Sequence, residues 1–520
     1  MTKSRWILVL VFLGLASVRK VNSYKILMVY PSYSESHVIL ASGLLKGLTK
    51  FGHEVTMVSS FPQKNPVKNY RDIIVPYEIN KDAVVTKQMQ SAGNLWTFYS
   101  EIQNKFNYAF ELSNRTMSVP EFRKIMDEET FDIVIIGFTG QFFVGLGYHF
   151  NCPVAVFSPL ATFQIINSPF GNPSSIAYSS YFLLGYHGQM TFMQRVKNFM
   201  MLGVDILMQI YSKEFYERPY YESNFPRGKF PEFDEALKKE SLALINSHFS
   251  QTSPRANVPA VVDVGGVHIE DEGEPLSPNV QEFLDSATEG AILFTFGSNI
   301  KTSFLPEEKI RIILDTFGTF RQKVLFKWEE SDLPGKPDNV LISKWMPQRN
   351  ILAHRNIKLF VTHGGLGSVA EAKYFGVPIV GVPFFNDQMA NVKKAADEGW
   401  AYYLDFTNLT IETFTEALKE VLNNPKYRET VQKMAQIFKD RPQTALETAN
   451  FWIEYVIRHN GAPHLQSQSV HLNILQRNSL DVIAFLIGMS FFVFKLTLII
   501  VKFVWRKLSK KIITRKEKQT

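Results

Sequence analysis

"IKLFVTHGGLGSVAEAKYFGVPIVGVP" (Ile357–Pro383) decides the fold. Ile357–Thr362 is a short apolar run that meets a glycine pair, Gly364 and Gly365, and reads as a buried strand entering a turn. The next segment, "LGSVAEAKYFG", reads as a helix stopped by Gly376 and Pro378. A second apolar run, "PIVGVP", follows. Strand, glycine turn, helix and strand make one unit of a parallel sheet. The turn leaves backbone N–H groups free at a helix N-terminus, a ready site for a phosphate. His363 stands at its mouth and can donate a hydrogen bond to the same anion.

The same alternation extends upstream. "AILFTFGS" from Ala291 is a strand, "PEEKIRIILDTFGTF" a helix with Pro306 in its first turn, and "KVLFKWE" and "NVLISKW" are strands. An earlier series begins at "YKILMVY" (Tyr24–Tyr30). It continues through the helical "SHVILASGLLKGLTKFGH" to "EVTMVSS", "FDIVIIG" (Phe131–Gly137) and "PVAVFS" (Pro153–Ser158). The expectation is an α/β protein of two units, joined near Pro254–Val267 where Pro and Gly cluster. The expected limits are 24–255 and 256–440, with a late helix at 441–460 and a linker at 461–479. "MTFMQRVKNFMMLGVDILMQIYSKEFY" (Met190–Tyr216) has helical spacing. Core packing is its simplest reading; a lipophilic wall or a membrane-dipping helix are the others.

The termini carry the charge. Of the net +7, the 19 residues from Lys502 contribute eight Lys or Arg against one Glu, and the first 23 residues contribute four Lys or Arg. The remainder is slightly acidic, so the basic balance does not argue for nucleic acid. The segment 1–23 reads as a signal peptide: a basic start, an apolar run and small residues before Tyr24. Segment 480–504 has the length of a bilayer span, with Lys495 as the charge inside it, and a basic tail follows at 505–520. The "NRT" and "NLT" sequons at Asn114 and Asn408 agree with a luminal bulk. Lys516 and Lys518 in "KEKQT" resemble a dilysine retrieval signal for the endoplasmic reticulum. The sequence thus reads as a single-pass type I protein of that membrane. The single cysteine, Cys152, forms no intrachain disulfide and reads as a packed apolar residue. An aromatic share of 13%, with 43 Phe, fits a membrane segment or a lipophilic pocket.

Around the glycine turn, residue types point to a nucleotide sugar. Trp345 can stack a planar base. Gln348 offers both a donor and an acceptor to a base edge. Glu371, two helical turns from His363, suits a ribose hydroxyl pair. Asp387 and Gln388 follow the strand "PIVGVP" at the carboxyl edge of the sheet, where ligands bind in open α/β folds, and an acid–amide pair suits sugar hydroxyls.

The 44-residue stretch Trp345–Gln388 resembles the signature of membrane-bound animal UDP-glycosyltransferases. "LALINSHFS" (Leu242–Ser250), "PRANVPAVVDVGGVHI" (Pro254–Ile269) and "FTFGSN" (Phe294–Asn299) look like that family too. The resemblance implies the GT-B fold, two Rossmann-like domains facing a cleft, plus the C-terminal transmembrane helix. It implies Trp345 and Gln348 on uracil, Glu371 on ribose, and Ser298 and His363 on the diphosphate. Asp387 and Gln388 would contact the sugar, with Arg255 near both. His37, at the start of the first helix, would be the base that deprotonates an acceptor hydroxyl, with inversion at the anomeric carbon. His53 reads as structural.

Two positions depart from the family pattern. Gly367 stands where relatives have Asn. Gly137 stands where they have the acid that orients the base, and Asp132 lies at the far end of that strand. Partners expected are a UDP-sugar, a small lipophilic acceptor and the bilayer, and a homo-oligomer is compatible with the sequence. Glucose is the first choice of sugar and glucuronic acid the second. A nucleotide-sugar binder without turnover is the alternative Gly137 leaves open. No cofactor beyond the UDP-sugar co-substrate and no metal is expected, and the acidic "HIEDEGE" (His268–Glu274) reads as a solvated loop.

Overall fold

The computed structural model describes residues 23–63, 65–77, 95–174, 176–186, 188–252, 254–269, 274–298 and 300–517. The expected signal peptide and Lys518 of the dilysine pair lie outside them.

The chain forms two units, one up to Gln466 and one from Ser467. The first holds two sheets. Sheet one runs β3-β2-β1-β4-β5-β6-β7, from β1 (Lys25–Val29), β2 (Glu54–Ser59), β3 (Tyr70–Ile74), β4 (Ile133–Gly137), β5 (Val154–Ser158), β6 (Glu240–Ile245) and β7 (Val261–Asp263). Sheet two runs β10-β9-β8-β11-β12-β13, from β8 (Ala291–Thr295), β9 (Lys323–Lys327), β10 (Val340–Ser343), β11 (Ile357–Thr362), β12 (Ile379–Gly381) and β13 (Ala401–Tyr403). The pairings are parallel, as in β1 with β4 (Val29 opposite Ile136) and β8 with β11 (Thr295 opposite Thr362). Helices cover both faces of such sheets, so the central strands are apolar along their whole length rather than alternating. Accordingly β4, β5 and β8 are buried at all five positions.

The helices that position the site are α1 (Glu35–Lys50), α2 (Gln164–Phe170), α3 (Phe192–Ser212), α4 (Leu366–Phe375) and α5 (Gln388–Asp397). Two more follow: α6 (Ala445–Arg458) and α7 (Leu480–Glu517). In each sheet the chain order reverses direction beside the first strand, between β1 and β4 and between β8 and β11. Those switch points open a crevice at the strands' carboxyl ends.

The first half extends past residue 255, because β7 is its seventh strand. The late helix returns to it as well. Ala449, Ile453 and Val456 of α6 join the core beneath sheet one. Leu446 fills the notch at Gly47 on α1, where a Cβ would lie 2.2 Å from Leu446 Cδ1. His53 is fully buried at this seam. Its Nδ1 accepts from Tyr24 N–H at 3.2 Å, so Nε2 carries the proton donated to Asn450 Oδ1 at 2.8 Å.

The core reading of Met190–Tyr216 does not hold. Within α3 only Asn198 and Ser212 are buried, and large apolar side chains face outward. Helical periodicity locates an apolar face but does not say what covers it. Cys152 is buried, and burial pushes its thiol up to about 12. In the second unit, α7 contains a stretch long and apolar enough to cross a membrane, Leu480–Lys510, and the helix continues beyond residue 504.

Candidate donor and acceptor cleft

A cleft of about 900 Å³ lies within the first unit, lined from both halves. His37, Ser298, Trp345, Gln348, His363, Gly365, Glu371, Asp387 and Gln388 line it together. Arg255 and Gly364 do not. Its volume is within the range of small-molecule sites.

The anion end is built by the two turns that follow β8 and β11. The His363 imidazole is clamped between glycines. A Cβ at Gly297 would be 2.7 Å from His363 Cε1, and one at Gly365 would be 2.6 Å from Nε2. Gly297 also has φ 80°, which favours glycine. Lys327, at the end of β9, reaches in and donates to the Gly297 carbonyl. Burial, then the Lys327 charge, hold His363 down to about 4, so it is neutral at pH 7 and donates through one N–H only. Ser298 Oγ is buried and makes no hydrogen bond among the described residues. A hydroxyl without a partner, a lysine and the N-terminus of α4 therefore converge on one volume. That is chemistry for a diphosphate. Lys327 was not legible in the sequence, because a strand-end lysine normally reads as solvated.

Another wall of the cleft is held by a polar cluster. Gln348 Nε2 donates to Glu371 Oε2 at 2.6 Å and to Ser368 Oγ at 3.2 Å. His268 Nε2 lies 3.3 Å from Glu371 Oε1, and Arg349 donates to the His268 carbonyl. The solvated-loop reading of His268–Glu274 therefore fails at His268, while Glu274 at the other end is half-buried. His268 is buried against α1 at Gly43, and Glu274 accepts from Trp345 Nε1 at 3.4 Å. Trp345 is 39% exposed, a plate open to the cleft.

In the turn after β12, Gln388 Oε1 accepts from the N–H groups of Phe384 and Phe385 at 2.9 and 3.1 Å, which fixes that turn. Asn386 in that turn has φ 57°, a conformation asparagine tolerates. Asn391 donates to Asp387 Oδ2 at 2.7 Å and to the Gly364 carbonyl at 3.0 Å, tying this turn to the glycine turn. Gly364 itself, φ 82°, backs onto Val392 rather than the cleft. Arg255 is drawn into its own half: it donates to Thr162 Oγ1, to Ser247 Oγ at 3.1 Å and to Thr252 Oγ1 at 3.2 Å.

Across the cleft, His37 sits in the first turn of α1, half-buried, with its ring edge-on to Phe138 at 5.9 Å. Phe138 in turn meets Phe163 at 5.8 Å. At Gly367 a Cβ would find only Leu40 of α1, at 3.8 Å, so the position is open. Asn114 and Asn408 are both exposed. Among the described residues no group of three or more His, Cys, Asp or Glu side chains is arranged to hold a metal ion.

Two facing parallel sheets with a cleft at their switch points define the GT-B fold. Solved structures agree in fold. The glycosyltransferase of kitacinnamycin aligns with a TM-score of 0.55 at 17% identity over 84% of this chain and 100% of its own. A UDP-glucosyltransferase from Polygonum tinctorium aligns at 0.52 and 14% over 84% and 98%. In sequence, residues 25–518 match the family described as "UDP-glucoronosyl and UDP-glucosyl transferase", and the chain belongs to that family. UDP-glucosyltransferase 2 of Dactylopius coccus is 34% identical over 90% of both chains. Human UDP-glucuronosyltransferase 2B15 is 30% identical over 98% of both. The protein is therefore an enzyme that transfers a sugar from a UDP-sugar.

Proposed function

We propose that this enzyme transfers glucose from UDP-glucose to a hydroxyl of a small lipophilic acceptor, with inversion at the anomeric carbon. The observation that carries the reading is that His37 and the donor residues of the other half line one cleft. In the step proposed, an imidazole nitrogen of His37 takes the acceptor O–H proton as that oxygen attacks the anomeric carbon. The new C–O bond forms while the bond to the diphosphate breaks on the opposite face. UDP leaves with both electrons of that bond. Lys327, Ser298, His363 and the α4 N-terminus receive the developing charge on the leaving diphosphate. Trp345, Gln348 and Glu371 hold the nucleoside, and Asp387 and Gln388 the sugar. Arg255 acts at a distance, by holding the Thr162, Ser247 and Thr252 loops.

Glucose is preferred because the Dactylopius relative is named a glucosyltransferase; glucuronic acid is the second choice. Phe138 and Phe163 beside His37 support a lipophilic acceptor. The apolar stretch of α7, the basic tail and the two sequons support a single-pass protein of the endoplasmic reticulum membrane with the cleft in the lumen.

The test is UDP release by membranes carrying the chain, with UDP-glucose or UDP-glucuronate and a phenol and steroid panel. Acceptor-dependent release with UDP-glucose is expected. UDP binding without release across the panel would instead support the non-catalytic binder that Gly137 leaves open.

A further inference from the structure

A second polar assembly lies outside the cleft, on the seam between the two halves. Lys373, in the last turn of α4, is 1% exposed. Its Nζ donates to the Ser250 carbonyl at 2.6 Å and to Glu398 Oε2 at 3.1 Å, and lies 5.4 Å from the centre of the Trp400 ring. Glu398 is itself held. Its Oε2 accepts from Trp400 Nε1 at 2.8 Å, and Lys394 Nζ of α5 stands 3.7 Å from Oε1. None of these residues lines the cleft.

Burying an ammonium is costly unless its charge and its N–H groups are matched. Burial pulls the Lys373 pKa down, and the Glu398 carboxylate opposes that. The second half thus holds a fixed cation aimed at one carbonyl of the first half. The loop that carries this carbonyl follows β6 and is braced on both sides. From the second half, Phe438 of the helix Pro425–Lys439 packs on the His248 ring at 4.6 Å, and His248 Nδ1 accepts from the Ser250 N–H at 3.2 Å. From the first half, Arg255 donates to Ser247 Oγ and Thr252 Oγ1, which lie 3.0 Å apart.

Helix α4 connects this seam to the cleft. Gly365 and Leu366 at its N-terminus line the cleft. Lys373 is seven residues further along, about 10 Å at the rise of an α-helix. The braced loop leaves sheet one at the carboxyl edge, the edge on which His37 follows β1. One helix therefore faces the donor site at one end and grips the half that carries His37 at the other. We propose that Lys373 is a positioning residue: through Ser250 it seats the first half on α4 and so sets the reach of His37 to the sugar. The proposal rests on the reading of His37 as the base. A misplacement of about 1 Å made far from the chemistry can cost about 100-fold in rate, so the seating of the halves has direct leverage on turnover.

The test compares the full chain with Lys373→Met, which keeps the apolar stem and removes the ammonium. Acceptor-dependent UDP release should lose about tenfold or more in kcat, with UDP affinity within about twofold of the parent. The seating is read separately, by the distance between spin labels at Lys124→Cys and Asp338→Cys, exposed sites on the two halves. Cys152 is buried and leaves the labelling to the introduced pair. With UDP bound, Lys373→Met should broaden that distance distribution. An unchanged distribution, or an unchanged kcat, would overturn the proposal. UDP affinity lost in step with kcat would also overturn it, because the damage would then lie in the donor half alone. Should Lys373→Met fail to fold, Glu398→Gln loosens the same lysine and is read in the same two ways. If release by the parent proves independent of His37, the base reading fails, and the label distance alone decides whether Lys373 seats the halves.

Discussion

The ring of Tyr30 occupies the space in which a side chain at Gly137 would stand: a Cβ there would lie 2.1 Å from Tyr30 Cδ2 and 2.3 Å from Cε2. Gly137 ends β4 and Tyr30 directly follows the neighbouring β1, so the contact is built by the register of sheet one, with Val29 opposite Ile136. A tyrosine ring thus fills the space beside Gly137 where the resemblance leads one to expect the acid.

Gly137→Asp alone is expected to destabilise the protein by about 1–3 kcal/mol through overpacking and to give no gain in rate. Gly137→Asp with Tyr30→Ala has room for the carboxylate. The double variant should turn over at least about tenfold faster than Tyr30→Ala, given how much an orienting acid contributes to a histidine base. Melting curves and acceptor-dependent UDP release check both. A rate gain in the single variant would contradict the steric account.

Gly367 faces open space in the cleft, in the first turn of α4, with Leu40 at ordinary contact distance. Gly367→Asn is expected to fold normally and to tighten UDP binding about fivefold, the effect of one added hydrogen bond of about 1 kcal/mol. Calorimetric titration with UDP measures it.

Lys327 lines the cleft beside Gly297 and His363. Lys327→Met should weaken UDP binding about 10- to 100-fold, as expected for a lost charge-assisted hydrogen bond of about 1.5–3 kcal/mol, and should flatten the dependence of binding on salt. Uridine, which lacks the diphosphate, should bind the variant and the parent alike.

Glu240 is fully buried in sheet one, and neither carboxyl oxygen finds a hydrogen-bond partner among the described residues. Burial, then the neighbouring Glu217, push its carboxyl up to about 8. The fold favours the protonated acid, so this contribution to stability is intact below the unfolded value near about 4.3 and is lost as pH rises through about 8. Stability should fall between pH 5 and pH 8. Glu240→Gln should reduce that slope, with the remainder coming from Glu217, pushed up to about 7 by burial. Denaturant titrations across that range test it.

Central strands such as β1, β4 and β11 were legible because burial on both faces makes them continuous apolar runs. Edge strands β3 ("YRDII") and β13 ("AYY") were not, since an edge strand needs less apolar sequence. Among the residues that residue type singles out, Gly365, Trp345, Asp387 and Gln388 line one cleft, and Gly364 does not. Lys327, His268 and Asn391 act through contacts made by distant segments, and no local pattern marks them. Arg255, placed near the donor by resemblance, does not line the cleft and hydrogen-bonds to Thr162, Ser247 and Thr252. The exposed face of α3 shows the same limit, because spacing gives an apolar stripe and not the medium it meets.

The central claim is that His37 is the base of a transferase whose donor site lies across the cleft. The direct measurement compares His37→Ala with the parent for UDP affinity and for acceptor-dependent UDP release from UDP-glucose. The account predicts unchanged UDP affinity and release lowered at least about 100-fold, the range of a lost general base. Release within a few-fold of the parent, with the acceptor still required, would contradict it.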